Sequence, residues 1–359
     1  MKIVEVISSL DSRGGAEVFL ISLIKKMQEK NEVYLVSLYD GIDSSFKAEI
    51  DKYKIKYFSC HKRKKIDFKA GRVLKRIIDN INPDIINFHL SFLATYYLAF
   101  GMKKNKWKLV ETFHSIPGHD ISKINNYLRK KYIKRHLLSF IGISDQITES
   151  AIKQFGDIDI KTIYNGIEIH DHGCNKQCSH LKEYDFICVA NMLPVKNHSL
   201  LIETFKLFLN RFPNSNLLLV GGGPLLDANK NLSSQLGISD HISFSGFASN
   251  PKEFYKKSRF FVLTSKREGN PISILEAMSY GLPIIAPNVG GIPDIVKDGQ
   301  NGKLFGVDSK EELLNCLSEI YTNKKLAEKI SKNNVVESNK YSINLTSERY
   351  IEYFNHIIS

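Results

Sequence analysis

One stretch decides the class of fold, and it runs from residue 259 to residue 286: RFFVLTSKREGNPISILEAMSYGLPIIA. It opens with a short run of aromatic and aliphatic residues and closes with a second apolar run, PIIA. Asn270 is a good helix N-cap and Pro271 suits the first helical position, so a helix is predicted to begin between the two runs. Two short strands joined by a helix are typical of parallel α/β architecture.

The same alternation fills most of the chain. Seven strand-like runs lie before residue 165 and six lie after residue 184, with amphipathic stretches such as 16–30 and 68–80 among them. The polar segment between the two series, 165–184, predicts an interdomain linker. The predicted fold class is therefore α/β, with two Rossmann-like domains that face each other across a cleft.

The domain boundaries follow from this linker. We expect a first domain at 1–167 and a second at 168–343, the first for the acceptor and the second for a nucleotide-bearing donor. The last segment, 344–359, has an amphipathic pattern and could pack back on the junction as a C-terminal helix that returns to the first domain.

The composition is that of an ordinary globular chain. With 359 residues, 43% hydrophobic and 25% charged, it has enough apolar material for two cores. Its five cysteines are too few and too scattered for a disulfide scaffold. The start is not a signal peptide because Glu5 interrupts the apolar run and no small-residue cleavage site follows. No apolar run reaches about 18 residues, so a membrane span is not expected and a cytoplasmic protein is predicted.

The positive charge is concentrated in the first domain. Residues 1–167 hold 29 basic and 18 acidic residues, a net of +11, whereas the remainder has 21 and 20, a net of +1. Two basic clusters, 61–65 and 128–138, fit either solvated lysines or a face for an anionic membrane surface or a phosphate-bearing acceptor. In the second cluster apolar residues recur at helical spacing, which fits an interfacial helix and an ordinary surface helix equally well. The protein could therefore bind peripherally to the inner face of the cytoplasmic membrane.

Two carboxylates stand out in the opening stretch. Glu268 lies in the loop and Glu276 on the second helical turn, where a carboxylate can accept both hydroxyls of a ribose. The free backbone N–H groups of Asn270, Ile272 and Ser273 at the helix start suit sugar hydroxyls or phosphate oxygens. Two glutamates eight residues apart are usually surface residues, so the surrounding pattern carries the interpretation.

That pattern resembles the hallmark of the large retaining glycosyltransferase family 4, E-x7-E within E-G-x-P-x-x-x-L-E-A-M-x-x-G-x-P, matched at 268–283. The likeness continues through Gly290-Gly291 and 298–305, and it covers essentially the whole chain. It implies the GT-B fold and transfer of a sugar from a nucleoside diphosphate, with retention, to a saccharide or polyprenyl-linked acceptor. No cofactor and no metal are implied, and a same-face mechanism is expected, in which the leaving phosphate helps to deprotonate the acceptor hydroxyl.

The resemblance also implies roles for individual residues. Lys196 would neutralise the departing diphosphate, Glu268 would orient the sugar, and His114 would lie near the reacting centre. His89 occupies a loop position that faces the acceptor, although a capping role explains it equally well. The residues expected to bind the donor are Gly14, Gly15, Asn191, Gly269, Asn270, Pro271, Ile272, Ser273 and Glu276.

One position departs from the family. An arginine commonly precedes the lysine by five residues, and here the residue is Asn191. A guanidinium fork is therefore missing from the predicted diphosphate site. Lys266 and Arg267 are candidate substitutes, and stronger use of backbone amides is the alternative.

Other functions stay open at this point. A GT-B-fold sugar-nucleotide epimerase and a non-catalytic nucleotide-binding module would share the donor site, but the complete E-x7-E context with Lys196 argues against both. The charge alone allows a nucleic-acid role, yet no recognition motif occurs, so no nucleic-acid partner is expected. The segment 170–180 holds cysteines and histidines that could ligate zinc, but their spacing fits no usual zinc module, and no metal site is predicted.

Overall fold

The computed structural model describes residues 1–64, 67–90, 107–117, 123–169, 182–248 and 250–359. They divide into two compact units: unit 1 comprises Met1–Ile167 with Ile343–Ser359, and unit 2 comprises Glu168–Ser342. The Cys/His segment 170–180 and the apolar stretch 91–106 lie outside the described residues.

Unit 1 is built on a seven-stranded parallel sheet of order β3-β2-β1-β4-β5-β6-β7. Its strands are β1 (Lys2–Ile7), β2 (Glu32–Ser37), β3 (Lys56–Ser59), β4 (Ile85–His89), β5 (Lys108–Phe113), β6 (Leu138–Gly142) and β7 (Ile160–Thr162). Its helices include α1 (Gly15–Met27), α2 (Ser44–Lys52), α3 (Phe68–Ile81), α4 (Lys123–Ile133) and α5 (Asp145–Phe155). Because helices cover a parallel sheet on both faces, its central strands are buried on both faces, as in β1, where every residue after Lys2 is buried.

Unit 2 has a six-stranded parallel sheet of order β10-β9-β8-β11-β12-β13. Its strands are β8 (Tyr184–Val189), β9 (Leu217–Val220), β10 (Ile242–Gly246), β11 (Ser258–Val262), β12 (Ile284–Pro287) and β13 (Gly302–Phe305). Its described helices are α6 (His198–Leu209), α7 (Leu226–Gln235), α8 (Lys252–Lys256), α9 (Ile272–Ser279), α10 (Ile292–Ile295), α11 (Lys310–Thr322) and α12 (Lys324–Ser338). Seven and six parallel strands confirm the predicted α/β class with two Rossmann-like sheets.

The last helix, α13 (Ile343–Ile358), belongs to unit 1. The Ile343 N–H donates to the Ile167 carbonyl at 2.8 Å, and the Tyr353 hydroxyl donates to Asp159 Oδ1 at 2.9 Å. Tyr350 packs its ring against Phe19 of α1, with the ring centres 6.2 Å apart. The C-terminal segment therefore completes the core of the first unit.

The start of α9 differs from the prediction. The helix begins at Ile272, and Pro271 is the N-cap, with extended backbone angles (φ −72°, ψ 114°). The Pro271 carbonyl accepts from the Ile274 N–H at 3.1 Å, which is the first bond of the helix. Asn270 is buried one residue earlier and is not the cap. Because proline's fixed φ suits both N-cap and first-turn positions, the sequence alone could not separate them.

Among the described residues, no helix is both long and apolar enough to cross a membrane. The same part of the chain contains no cluster of three or more His, Cys, Asp or Glu side chains arranged to hold a metal ion.

Candidate functional site

The candidate residues fall into two groups, one in each unit. In unit 2, Lys196 ends a short 3-10 turn after β8, and Glu268 lies in the loop after β11. Because β8 and β11 are neighbours in the sheet, their carboxyl-end loops meet. Lys196 Nζ donates to Glu268 Oε1 at 2.6 Å. The two predicted catalytic residues of this unit therefore form an ion pair.

Backbone contacts hold these two loops together. The Thr264 hydroxyl donates to the carbonyl oxygens of Lys196 at 3.1 Å and Asn197 at 3.0 Å. The Lys266 N–H donates to the Val195 carbonyl at 2.8 Å. The side chains of the pair remain partly accessible, with Lys196 24% and Glu268 9% exposed. The pair is thus held on a fixed frame and can still be reached from outside.

Gly290 lies close against the backbone of the Glu268 loop. Its φ is +55°, and a Cβ there would lie 1.8 Å from the Glu268 carbonyl oxygen, so no side chain fits. The neighbouring Gly291 N–H donates to that carbonyl at 3.3 Å. This backbone contact gives a physical reason for the glycine pair that sequence analysis noted only as part of a motif.

Glu276 lies on the second turn of α9 and is half-buried. The hydroxyl of Tyr255, a buried residue of α8, donates to Glu276 Oε2 at 2.9 Å. Burial and the adjacent carboxylate raise the pKa of Tyr255 well above its usual value, so the hydroxyl stays a donor. Tyr255 could not be predicted from the sequence, because nothing in its local pattern links α8 to α9.

The loop between these carboxylates carries the other predicted donor residues. Gly269 is half-buried, whereas Asn270, Pro271 and Ile272 are buried. The backbone N–H groups of Ile272 and Ser273 make no hydrogen bond to the described residues, so they remain available at the start of α9.

The two substitute bases for the missing arginine differ in their surroundings. Asn191 is the second residue after the end of β8 and is half-buried. Lys266 Nζ lies 3.3 Å from Asp308 Oδ1, so its charge is already paired. Arg267 is exposed and makes no ion pair with any described residue.

In unit 1, Gly14 is the N-cap of α1 and Gly15 begins the helix. A side chain at residue 14 would collide with the Glu17 carboxylate, which folds back over the Gly14 amide. Burial, together with nearby Asp11, raises the pKa of Glu17. The helix N-terminus where a donor phosphate was expected therefore already holds one of the chain's own carboxyl groups.

The histidines of unit 1 form a hydrogen-bonded chain. His89 Nδ1 lies 2.8 Å from Nε2 of the half-buried His114, and His89 Nε2 lies 2.7 Å from Glu5 Oε2. Burial lowers the pKa of His89 to about 3. Burial, followed by the neighbouring His89, also lowers the pKa of His114 well below its usual value. Both imidazoles are therefore neutral at pH 7.

The position of His89 corrects the expectation that it faces an acceptor. Its side chain is 0% exposed because Glu5, Asn87 and His114 enclose it. Of the three described residues that contact the His89 ring, only His114 is partly exposed, so His89 would act on a ligand through His114. Glu5 was not predicted as a site residue, because its only signal in the sequence is that it interrupts an apolar run.

Comparison with known proteins covers both units. Residues 13–171 match the model described as Glycosyltransferase Family 4, and residues 175–335 match Glycosyl transferases group 1. The chain is 25% identical to N-acetyl-alpha-D-glucosaminyl L-malate synthase of Bacillus anthracis, over 86% of this chain and 84% of that protein.

A second relative comes from Campylobacter jejuni. It is named GalNAc-alpha-(1->4)-GalNAc-alpha-(1->3)-diNAcBac-PP-undecaprenol alpha-1,4-N-acetyl-D-galactosaminyltransferase, and it is 24% identical over 98% of both chains. Among solved structures, HepE of Anabaena, in complex with UDP, superposes with a TM-score of 0.84 at 21% identity, over 99% of this chain and 100% of that one. The chain belongs to the group 1 glycosyltransferases and is a family 4 enzyme with the GT-B fold.

Proposed function

We propose that this glycosyltransferase moves a sugar, with retention of anomeric configuration, from a nucleoside-diphosphate sugar to a saccharide or polyprenyl-diphosphate-linked acceptor. The reaction would serve the assembly of a bacterial surface polysaccharide such as capsule or O-antigen. The contact between Lys196 and Glu268, beside Glu276 on the next helix, is the observation that carries the proposal. The names of the Campylobacter relative and of the HepE complex support the lipid-linked acceptor and the nucleotide, respectively.

In this proposal the two glutamates have separate tasks. Glu276 accepts hydrogen bonds from the ribose hydroxyls, and Tyr255 holds its carboxylate in place. Glu268 accepts hydrogen bonds from hydroxyls of the transferred sugar. Hydrogen bonds to a charged group are stronger than those between neutral groups, so each carboxylate fixes its end of the donor.

Lys196 acts on the leaving group. As the bond from the anomeric carbon to the phosphate oxygen breaks, negative charge grows on the diphosphate, and a nearby ammonium stabilises it. The amides of Ile272 and Ser273 and the exposed Arg267 would add to this stabilisation, with Arg267 in place of the arginine missing at Asn191. The diphosphate then takes the proton of the acceptor hydroxyl on the same face of the sugar.

Unit 1 is proposed to supply His114 near the reacting sugar, and its Gly14-Gly15 turn near the diphosphate. Because the Glu17 carboxylate lies over the Gly14 amide, donor binding at that turn requires this side chain to move. Like charges do not share a helix N-terminus, so the movement would follow from electrostatic repulsion.

A donor panel tests the proposal. A nucleoside-diphosphate sugar at a hundred times its Kd should stabilise the protein by about 2.7 kcal/mol, and this appears as a raised Tm. The best donor is then incubated with polyprenyl-diphosphate-linked saccharides, and the product anomer is determined by NMR. Inversion at the anomeric carbon would contradict retention, and a panel without any stabilising nucleotide would contradict the donor site.

Replacing Tyr255 with phenylalanine should raise the KM for the donor about threefold to tenfold and leave kcat nearly unchanged. The change removes one hydrogen bond to Glu276, which corresponds to about 1 kcal/mol. Steady-state kinetics with varied donor measure the effect. Tyr321→Phe is the matched control, because its ring packs on Phe186 and Phe208 elsewhere in unit 2. Equal KM values in the two variants would show that Tyr255 does not support donor binding.

The basic helix α4 bears on the membrane hypothesis. Tyr132 is buried in the core of unit 1, and Arg129 is buried against Glu111 at 2.6 Å, so these residues face inward. Lys130 and Lys131 are exposed, and so are Lys134 and Arg135 just beyond the helix. The exposed basic side chains at the end of α4 support an electrostatic contribution to membrane binding.

We propose that this surface attracts anionic lipid headgroups. The double variant Lys130→Ala/Lys131→Ala should lower binding to anionic vesicles about 30-fold, since each lysine near such a surface contributes about 1 kcal/mol. Vesicle flotation with anionic and neutral lipids measures this. The exposed pair Lys324 and Lys325 on α12 provides the matched control variant. Equal binding of the wild type to neutral and anionic vesicles, or no binding to either, would contradict the proposal.

A further inference from the structure

A chain of side chains crosses the sheet of unit 1 from its interior to its surface. Glu5 on β1 contacts His89 on β4, and His89 contacts His114 just after β5, at 2.7 and 2.8 Å. The strand register produces this order, because Glu5 pairs with Asn87, and His89 pairs with Thr112. Glu5 and His89 are 0% exposed, so His114 is the member that reaches the surface.

The contacts of Glu5 indicate which atom carries its proton. Asn87 Nδ2 donates to Oε2 at 2.9 Å, and Asn87 is itself held by the Thr112 hydroxyl, which donates to its Oδ1 at 2.9 Å. The other carboxyl oxygen, Oε1, is buried and has no hydrogen-bond partner among the described residues. A buried, unpaired oxygen costs far more free energy on an ionised carboxylate than on the neutral acid. Glu5 therefore carries a proton and donates it from Oε2 to His89 Nε2.

The proton on Glu5 fixes the position of the proton on His89, and that in turn fixes the position of the proton on His114. If His89 Nε2 accepts from Glu5, the proton of the neutral imidazole lies on Nδ1, which donates to His114 Nε2. The proton of His114 then lies on its own Nδ1. That atom makes no hydrogen bond to the described residues, so it is available to a ligand.

We propose that Glu5 is a positioning residue that acts through His89 to set the tautomer of His114, so that His114 offers Nδ1–H to an oxygen of the bound sugar. The inference rests on the proposed function, since the contact between His114 and the sugar is part of it. It deepens that function by stating that His114 is a neutral hydrogen-bond donor and not a base.

The protonation of Glu5 makes this arrangement depend on pH. Burial raises the pKa of Glu5 to about 8, partly offset by the hydrogen bond from Asn87. Among the described residues, the titratable groups that interact with it are His89 from β4 and Tyr350 from α13, and burial raises the pKa of Tyr350 well above its usual value. Ionised Glu5 would accept a hydrogen bond from His89 Nε2–H. His89 Nδ1 would then accept from His114 Nε2–H, so that donor and acceptor exchange roles in both contacts. His114 would then present an acceptor, and transfer should decline as the pH rises through about 8.

The free energy of unfolding should also depend on the protonation of Glu5. The pKa of Glu5 is about 8 in the folded protein against a usual 4.5, so its contribution to stability is complete below pH 4.5 and is lost as pH rises towards 8. The contribution of His89 to stability changes with pH in the opposite direction. Its pKa is lowered from 6.5 to about 3 in the folded protein, so this contribution is lost as pH falls below 6.5. The window from pH 6.5 to 8 therefore separates the contribution of Glu5 from that of His89. Wild-type Tm should fall across it, and the Tm of Glu5→Gln should not.

The decisive experiment combines tautomer and activity measurements on the full chain. Histidine 15N NMR at pH 7 reports the tautomer of His114, assigned by the signals lost in His114→Gln. We expect the Nδ1–H form in wild type and in Glu5→Gln, whose amide still donates to His89. Asn87 Nδ2 also lies 2.9 Å from His89 Nε2, so the double variant Glu5→Leu/Asn87→Leu is needed to remove both donors to that atom. It should lose the preference and show kcat about tenfold lower, with the donor KM unchanged. In Glu5→Gln, kcat at pH 7 should stay within about threefold of wild type, without the decline near pH 8.

A matched control and two outcomes complete the test. Glu111→Gln changes another buried carboxyl of the same sheet, paired with Arg129, and should leave the His114 tautomer unchanged. An Nε2–H form of His114 in the wild type, or loss of the Nδ1–H form in Glu5→Gln, overturns the inference even if Glu5→Leu/Asn87→Leu fails to fold. If the tautomers are as expected but His114→Ala keeps full transfer activity, the proposed contact with the sugar is wrong and the coupling to Glu5 stands.

Discussion

Replacing Lys196 with alanine should lower kcat by about 100- to 1000-fold, the usual loss when one group that stabilises developing negative charge is removed. The ammonium lies at the end of the turn after β8, held by Glu268 at 2.6 Å. Without it, the departing diphosphate loses its nearest proposed counter-charge, and Glu268 loses its cation. Initial rates at saturating donor measure kcat directly.

Lys266→Ala is the matched control for this change. Lys266 lies two residues from Glu268, but its charge is at the surface and pairs with Asp308 at 3.3 Å. Its removal should change kcat less than about threefold, as expected for an exposed ion pair. Comparable losses in the two variants would show that general positive charge, and not the specific position of Lys196, supports the reaction.

Glu268→Gln should lower kcat/KM by about 10- to 100-fold, because a hydrogen bond to a charged group contributes about 1.5–3 kcal/mol. The amide retains the shape of the side chain but removes the negative charge that holds Lys196 and would bind the sugar hydroxyls. Progress curves at low donor concentration give kcat/KM.

Glu253→Gln serves as the control for the loss of a carboxylate in unit 2. Glu253 is exposed on α8 and pairs with Lys256 at 2.7 Å. We expect wild-type kinetics from this variant. If Glu268→Gln also retained wild-type kcat/KM, the loop carboxylate would have no part in donor recognition.

The sequence predicted the architecture well for a physical reason. Strands of a parallel sheet are covered by helices on both faces, so each forms a short, continuous apolar run that contrasts with the amphipathic helices. The boundary of α9 was less accessible, since Pro271 fits both the N-cap and the first turn. Motif residues such as Glu268 and Glu276 could be named individually because their spacing is fixed along one loop and helix.

Contacts between distant segments could not be predicted in this way. Lys196 and Glu268 are 72 residues apart, and they meet because β8 lies beside β11. The spacing of residues along the sequence does not show which strands are neighbours in the sheet. Glu5 was missed for a similar reason: a single carboxyl in an apolar strand has no motif, and only the pairing of β1 with β4 places it against His89.

The central claim is that unit 2 binds the donor nucleotide through the helix carboxylate Glu276. Isothermal titration of the wild type and of Glu276→Gln with UDP and other nucleoside diphosphates tests it most directly, since the glutamine can still accept from Tyr255. We predict that the best nucleotide binds the wild type and that its Kd rises at least about tenfold in the variant, the effect of one lost charged hydrogen bond. Equal Kd values in the two proteins would contradict the account.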